Sequence, residues 1–182
     1  VEDILRITGG LLKGRQILFA KHSDIRPTTD KNRSAIFSIL SDRIENANVL
    51  DVCCGTGAFG LESISRGAKS VIFIDKDTSS ITKNIELIKE HEFKIIKGDF
   101  LKKISSLPKE YFDIIFVDPP YQKYDIIQIL KTCEPYLKDT GILILEESSR
   151  TASIESDILK IVDERIYGDT KVIFYKKYQT QK

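Results

Sequence analysis

The stretch Val49–Gly60, VLDVCCGTGAFG, constrains this chain more than any other. It reads as a short buried strand through Val49, Leu50, Val52 and Cys53, a turn carrying Gly55 and Gly57, and a helix start. A chain that ends a buried strand in glycines and turns straight into a helix leaves backbone N–H groups and a positive dipole end facing a crevice. The missing Cβ atoms at Gly55 and Gly57 let a ligand approach the main chain closely. This is the mouth of a nucleotide-type cofactor site.

From Val49 onward strand and helix alternate. Strands are expected at 49–53, 70–75 (SVIFID), 93–98 (FKIIKG), 112–118 (FDIIFVD) and 141–146 (GILILE). Their near-continuous apolar runs suit a parallel sheet covered on both faces. Helices are expected at about 57–66, 78–91 and 124–137 between them, the second with Ile81, Ile85 and Ile88 on one face. Such alternation predicts a doubly wound, mostly parallel α/β fold of the seven-stranded, Rossmann-like kind. After a short helix expected near 153–159, KIVDERIYGD and TKVIFYKK read as an antiparallel pair turning at Gly168–Asp169. At the other end, 4–8 and 15–20 read as a small β-hairpin joined through GGLLKG, so residues 1–25 form an extension and 26–182 the main domain. Next, Pro27, Thr28, Thr29 and Asp30 offer cap chemistry for a helix whose stripe is Ala35, Ile36, Ile39 and Leu40. Arg33 is expected away from that stripe, open to a phosphate or to solvent.

Composition bounds the rest. The 182 residues, 41% hydrophobic and 30% charged, describe one ordinary globular domain. No apolar run approaches the roughly 18 residues of a membrane span, and no signal pattern opens the chain. The three cysteines and two histidines have no metal-ligand spacing, so no metal is expected. The cytoplasm is the expected compartment, and the chain is expected to act as a monomer. Net charge is +1, yet residues 4–40 carry seven cations against two acids. A local basic face of this kind serves either as a footprint for a polyanion or as a solvated surface.

Three carboxylates fall at or beside the ends of the first three strands of the alternating part. Asp51 lies within the first, Asp75 ends the second and Asp99 follows the third. In an open α/β sheet, ligands bind outside those ends at the topological switch point. Asp75, 20 residues after Gly55, can accept both hydroxyls of a ribose, and Asp99 can accept from an adenine amino group. Taken singly, each is equally a helix cap or turn residue. Gly55-x-Gly57-x-x-Gly60 also fits the dinucleotide fingerprint, so an NAD-binding Rossmann domain stays in play. Against it stand Asp51, which would meet an amino group or water at the loop and is awkward beside a pyrophosphate, and the terminal hairpin.

The motif that separates the readings is Asp118–Pro119–Pro120–Tyr121, directly after an apolar strand. Two consecutive prolines force a rigid extended turn. The Asp118 carboxylate and the Pro119 carbonyl are then two acceptors suited to the two hydrogens of an exocyclic NH₂. Tyr121 offers a flat face for base stacking, worth about 1–3 kcal/mol. Acceptors on those hydrogens help localise a delocalised nitrogen lone pair toward a methyl donor. A bland strand-end turn with a surface tyrosine is the alternative.

Asp51-x-x-x-Gly55-x-Gly57, Asp75, Asp99 and DPPY resemble the S-adenosylmethionine-dependent amino-methyltransferases. The chain as a whole resembles the RsmD-type 16S rRNA guanine-N2 methyltransferases, through RITGG-x-x-KGR at 6–15, RPTTDKNRSAIFSIL at 26–40, DVCCGTGAFGLESISRGA at 51–68, VDPPY at 117–121 and YGDTKVIFYKK at 167–177. The resemblance implies methylation of a guanine N2 in 16S ribosomal RNA, by analogy guanine 966, as naked RNA or within a partly assembled small subunit. It implies that Asp51, Gly55 and Gly57 hold the methionine end of S-adenosyl-L-methionine, Asp75 its ribose, and Asp99 with the Phe100 backbone its adenine. Asp118, Pro119 and Tyr121 would receive the guanine, presented out of its stack. Thr28 and Arg26 would sit in a segment closing over the methionine side, and Lys13, Arg15, Arg26 and Arg33 would meet RNA. A DNA adenine-N6 or cytosine-N4 methyltransferase shares the loop and DPPY, but usually needs an added recognition domain.

Overall fold

A computed structural model describes residues 5–18, 29–121 and 123–178. Thr28 and Arg26 lie outside the described residues, as do the first and last residues of the expected N-terminal hairpin. Within it, β1 (Leu5–Arg6) pairs antiparallel with β2 (Gln16–Ile17). Then follow α1 (Asp30–Leu40), β3 (Asn48–Val52), α2 (Ala58–Ser65), β4 (Ser70–Asp75), α3 (Ser79–Asn84), β5 (Glu92–Lys97) and α4 (Phe100–Lys103). The chain continues with β6 (Phe112–Val117), α5 (Ile126–Cys133), β7 (Leu137–Ser148), β8 (Leu159–Tyr167) and β9 (Thr170–Lys177).

The large sheet has the order β5-β4-β3-β6-β7-β9-β8. Strands β3 to β7 pair in parallel, whereas β9 runs antiparallel to both β7 and β8. The expected doubly wound, seven-stranded fold with a C-terminal antiparallel pair and a small N-terminal hairpin is the one observed. The order in which strands are added reverses at β3 and β6, which lie side by side and parallel, so the crevice opens above the carboxyl ends of those two strands.

Alternation along each strand divides the core in two. Val49, Val71, Phe73, Ile114, Phe116, Ile144 and Phe174 face one side with α1, α2, α3 and the hairpin residues Leu5, Ile7 and Ile17. Leu50, Val52, Ile115, Val117, Leu143 and Tyr175 face the other, under α4 and α5. By the same alternation Asp51, Asp118 and Glu146 share the α2 side. The register Val117↔Leu145 sets Asp118 and Glu146 abreast on adjacent strands.

Helix ends follow from local chemistry. Thr29 caps α1 through Oγ1, which accepts from the Asn32 N–H at 3.2 Å. Asp125 caps α5 by accepting from Gln128 N–H at 3.0 Å, and that helix tightens into a 3₁₀ turn where Pro135 enters. The expected helix over 78–91 is shorter: α3 gives way after Asn84 to a 3₁₀ turn at Ile85–Ile88. Its Ser, Thr, Ile and Asn are poor helix formers. The short helix expected near 153–159 is absent. There Ser156 Oγ accepts from the N–H groups of Ile158 and Leu159, and Glu155 accepts from Ile161 N–H at 2.7 Å. Side chains have taken the bonds a helix would need.

Candidate functional site

Strand β3 ends in a sharp exit. Cys53 adopts φ 57°, a left-handed conformation rare for a residue with a Cβ, followed by Gly55 at 51° and Gly57 at 77°. The two glycines serve different purposes. A Cβ built on Gly55 would meet nothing within 4 Å, so the loop opens onto free space there. A Cβ on Gly57 would fall 2.1 Å from Ile81 Cδ1, so the absence of a side chain there lets α3 approach the loop closely. Gly60 is likewise bare for packing, against Phe73 and Val71.

Of the three expected cofactor carboxylates, Asp75 and Asp51 bond the loop and the helix it opens, while Asp99 stands after β5, two strands away. Asp75 Oδ2 accepts from the Gly55 N–H at 2.8 Å, and its Oδ1 accepts from Asp77 N–H at 2.9 Å. It thus fixes the loop, while each oxygen keeps a second lone pair for another donor. Asp51 is 1% exposed and accepts from the Gly60 N–H in the first turn of α2 at 3.0 Å. Its side chain is closed off from open solvent by α2, which covers its side of the sheet. Burial raises its pKa well above the usual carboxylate range, the Gly60 bond opposes this, and Asp75 adds to it. Asp99 caps α4 by accepting from Leu101 N–H at 3.1 Å and pairs with Lys76 at 2.9 Å. The lysine holds its carboxyl below the usual range. Phe100, which opens α4, is buried with its ring 5.2 Å from that of Tyr124.

The acceptor end of the crevice lies next door. The Asp118 N–H donates to the Val52 carbonyl at 3.2 Å, tying DPPY to the foot of the glycine loop. Pro119 is buried, and Tyr121 stands 44% exposed with its hydroxyl 3.3 Å from that of Thr170. Burial pushes the Tyr121 pKa up, the Thr170 bond opposes, and the charges of Glu146, Asp118 and Glu147 push further upward. The Cys53 thiol sits near Asp75, Asp118 and Asp51. Burial first, then Asp75, Asp118 and Asp51, raise its pKa, so it stays protonated and suits packing rather than nucleophilic work. Asp51, Asp75 and Asp118 are therefore brought together, with DPPY and YGDT meeting through Tyr121 and Thr170.

Lys76, Tyr124, Glu146 and Thr170 were not singled out by the sequence. Glu146 carried a signal, as the acid ending GILILE on the strand beside DPPY. Lys76 and Tyr124 became visible only through folding.

The basic residues divide. Lys13 and Arg15 are exposed on the hairpin, at the end of α2 remote from the glycine loop. Arg33 contradicts the expectation of an open cation: its side chain is 1% exposed. Its Nε donates to the fully buried Glu62 at 2.6 Å, and Nη2 donates to Asp30 at 2.9 Å and to the Arg6 carbonyl. Glu62 also accepts from Arg66 at 2.9 Å and from the Thr8 hydroxyl. A buried carboxylate on α2 draws the guanidinium inward, because neither charge tolerates burial alone.

The family model described as "Conserved hypothetical protein 95" matches residues 5–176. The ribosomal RNA small subunit methyltransferase D of Buchnera aphidicola (strain APS) is 32% identical over 81% of this chain and 80% of its own. This chain belongs to that family. The Haemophilus influenzae protein of the same name is 28% identical over 96% of this chain and 93% of its own. Among solved structures, yhhF from Escherichia coli superposes with a TM-score of 0.81 at 26% identity, over 96% of this chain and 98% of that one. The family match spans both terminal hairpins as well as the glycine loop and DPPY.

Proposed function

We propose that this protein is an S-adenosylmethionine-dependent methyltransferase that modifies the N2 amino group of a guanine in small-subunit ribosomal RNA. The observation that carries the reading is the meeting of two half-sites: the open glycine loop with Asp51 and Asp75, and the Asp118–Tyr121 turn hydrogen-bonded to the foot of that loop. Relatives named ribosomal RNA small subunit methyltransferase D support the choice of RNA.

The residues present fit the cofactor. Free space over Gly55 gives room for a ligand against the main chain. Asp51 would hold an ammonium group, which relieves the cost of a buried carboxylate. Asp75 would take ribose hydroxyls on its remaining lone pairs. Asp99 and the Phe100 backbone would face adenine once Lys76 yields Asp99. When bound, S-adenosylmethionine supplies a methyl group on a sulfonium, which needs neither a metal nor a covalent enzyme intermediate.

The protein's own part is positioning. The Asp118 carboxylate and Pro119 carbonyl would accept the two N2 hydrogens, turning the nitrogen lone pair toward the methyl group. Tyr121, steadied by Thr170, would stack on the base. The amino proton would leave to water after attack, so no strong base is required. Lys13 and Arg15, and Arg26 beyond the described residues, would contact phosphates, while the pocket reads the base.

The test is methyl incorporation from labelled cofactor into a protein-free 16S transcript, partly assembled small subunits and duplex DNA, with the modified nucleoside identified. N2-methylguanine in the RNA or the particle is expected, and incorporation into DNA alone overturns the reading. Asp118→Ala should bind cofactor normally and lose about a hundredfold or more in turnover; a fully active variant would remove Asp118 from its role.

A further inference from the structure

Asn84 closes α3 at 2% exposure, and its carboxamide reaches two other parts of the chain. Nδ2 donates to the Leu18 carbonyl at 2.8 Å and to the Thr56 carbonyl at 2.9 Å, while Oδ1 accepts from the Leu18 N–H at 2.8 Å. One side chain therefore grips both backbone groups of Leu18, as a neighbouring strand would. With its second N–H it holds the middle of the glycine loop. Ile81, three residues earlier on the same face of α3, fills the space a Cβ on Gly57 would take. The helix thus braces consecutive loop residues, Thr56 by a hydrogen bond and Gly57 by contact.

Holding the Thr56 carbonyl sets the plane of the peptide that enters Gly57, at φ 77°. Glycine resists rotation there less than any other residue, so the constraint has to come from outside the loop. Asparagine suits the position: its flat amide offers two donors and an acceptor at once, and aspartate offers no donor. Leu18 is the residue through which the chain leaves the N-terminal hairpin, one after β2 ends at Ile17. Asn84 is accordingly the joint between the basic hairpin and the loop.

We propose that Asn84 is a positioning residue that locks the cofactor loop to Leu18, at the exit of the hairpin, so that RNA held at the hairpin and cofactor held at the loop strengthen each other's binding. The inference rests on the reading of the loop as the S-adenosylmethionine site and of the hairpin as an RNA contact. An RNA that holds the hairpin, and through Leu18 and Asn84 the Thr56 carbonyl, leaves less of the loop geometry for the cofactor to fix, and such coupling is reciprocal.

The experiment is calorimetric titration of S-adenosylhomocysteine into the wild-type protein and Asn84→Asp, alone and with a saturating 16S rRNA transcript. The variant keeps the shape but sets a carboxylate against the Leu18 and Thr56 carbonyls. RNA should tighten wild-type binding about fivefold. Asn84→Asp should bind about tenfold more weakly without RNA and gain nothing from it. Its KM for S-adenosylmethionine should rise by the same factor while kcat at saturation stays within about threefold, a split that simple loss of folded protein does not produce. Wild-type affinity indifferent to RNA, or a variant within about twofold of wild type, overturns the proposal. If the variant does not fold, the wild-type comparison decides alone. Wild-type protein that binds no S-adenosylhomocysteine, or no RNA, fails the underlying reading visibly and before any variant is made, and removes this proposal with it.

Discussion

The two ends of α2 both meet glycine-rich segments, and they use the glycines in opposite ways. At its N-terminal end the chain passes through Gly55, over which a Cβ would find only open space. At its C-terminal end the RITGG segment packs so closely that a Cβ on Gly10 would fall 1.8 Å from the Ser65 carbonyl oxygen. Leu11 N–H donates to that same carbonyl at 2.8 Å, and Ser65 Oγ donates to the Gly9 carbonyl at 2.6 Å. One end opens onto free space, which the proposed function gives to the cofactor. The other is a seam within the chain itself. A motif that looks functional because its glycines are paired can equally be a joint, and only the neighbour across the gap tells which.

Alanine at each end should break the symmetry of the two motifs. Gly10→Ala combines a left-handed backbone at φ 76° with a backbone collision, and should destabilise the fold by about 4 kcal/mol. Gly55→Ala meets no atom and should cost about 1 kcal/mol from its φ of 51°, while its methyl group intrudes on the crevice and weakens cofactor binding. Denaturant unfolding and titration with S-adenosylhomocysteine read the two effects separately. Equal loss of stability in both variants would mean that the ends of α2 do not differ as described.

The cations repeat the contrast. Arg33→Met leaves the buried Glu62 with Arg66 and Thr8 but without its shortest ion pair, and should cost about 3 kcal/mol. Lys13→Glu with Arg15→Glu alters exposed side chains and should leave stability within about 0.5 kcal/mol. The double variant should instead weaken binding to a 16S transcript and flatten its salt dependence. Unchanged RNA affinity in the double variant would move the contact surface away from the hairpin tip.

The sheet was legible because each strand carries a run of apolar residues dense enough to need cover on both faces, and because YGDT marks the last turn. The crevice was legible in Asp51, Asp75, Gly55 and DPPY, whose positions at strand ends follow from the alternation of strand and helix. Arg33 was not. Its helical position gives no sign that Glu62, 29 residues later on another helix, would be buried beside it. The helix near 153–159 failed for a local reason: Ser156 and Glu155 have backbone donors within reach, and a periodic pattern is blind to that competition. Asn84 was invisible because a lone asparagine late in a helical stretch looks like an exposed polar residue until the hairpin folds over it.

The smallest effect expected is also the one that bears most directly on what the open end of α2 receives. Asp51 sits at that end, buried, with a pKa raised above the ordinary carboxylate range. The folded protein therefore holds the Asp51 proton more tightly than the unfolded chain does. Stability from this group is present at low pH and falls as pH rises from the ordinary carboxylate range through the raised pKa. An ammonium group seated against Asp51 favours the ionised form and draws the pKa back down. Binding of S-adenosylhomocysteine should then release a proton within that interval, and affinity should climb with pH across it before levelling off. Calorimetry in buffers of differing ionisation enthalpy measures the proton directly. Asp51→Asn should abolish both the release and the pH dependence and bind more weakly throughout. A release that survives the substitution would assign the proton to another group and take Asp51 out of contact with the ligand, leaving its bond to the Gly60 N–H as its whole role.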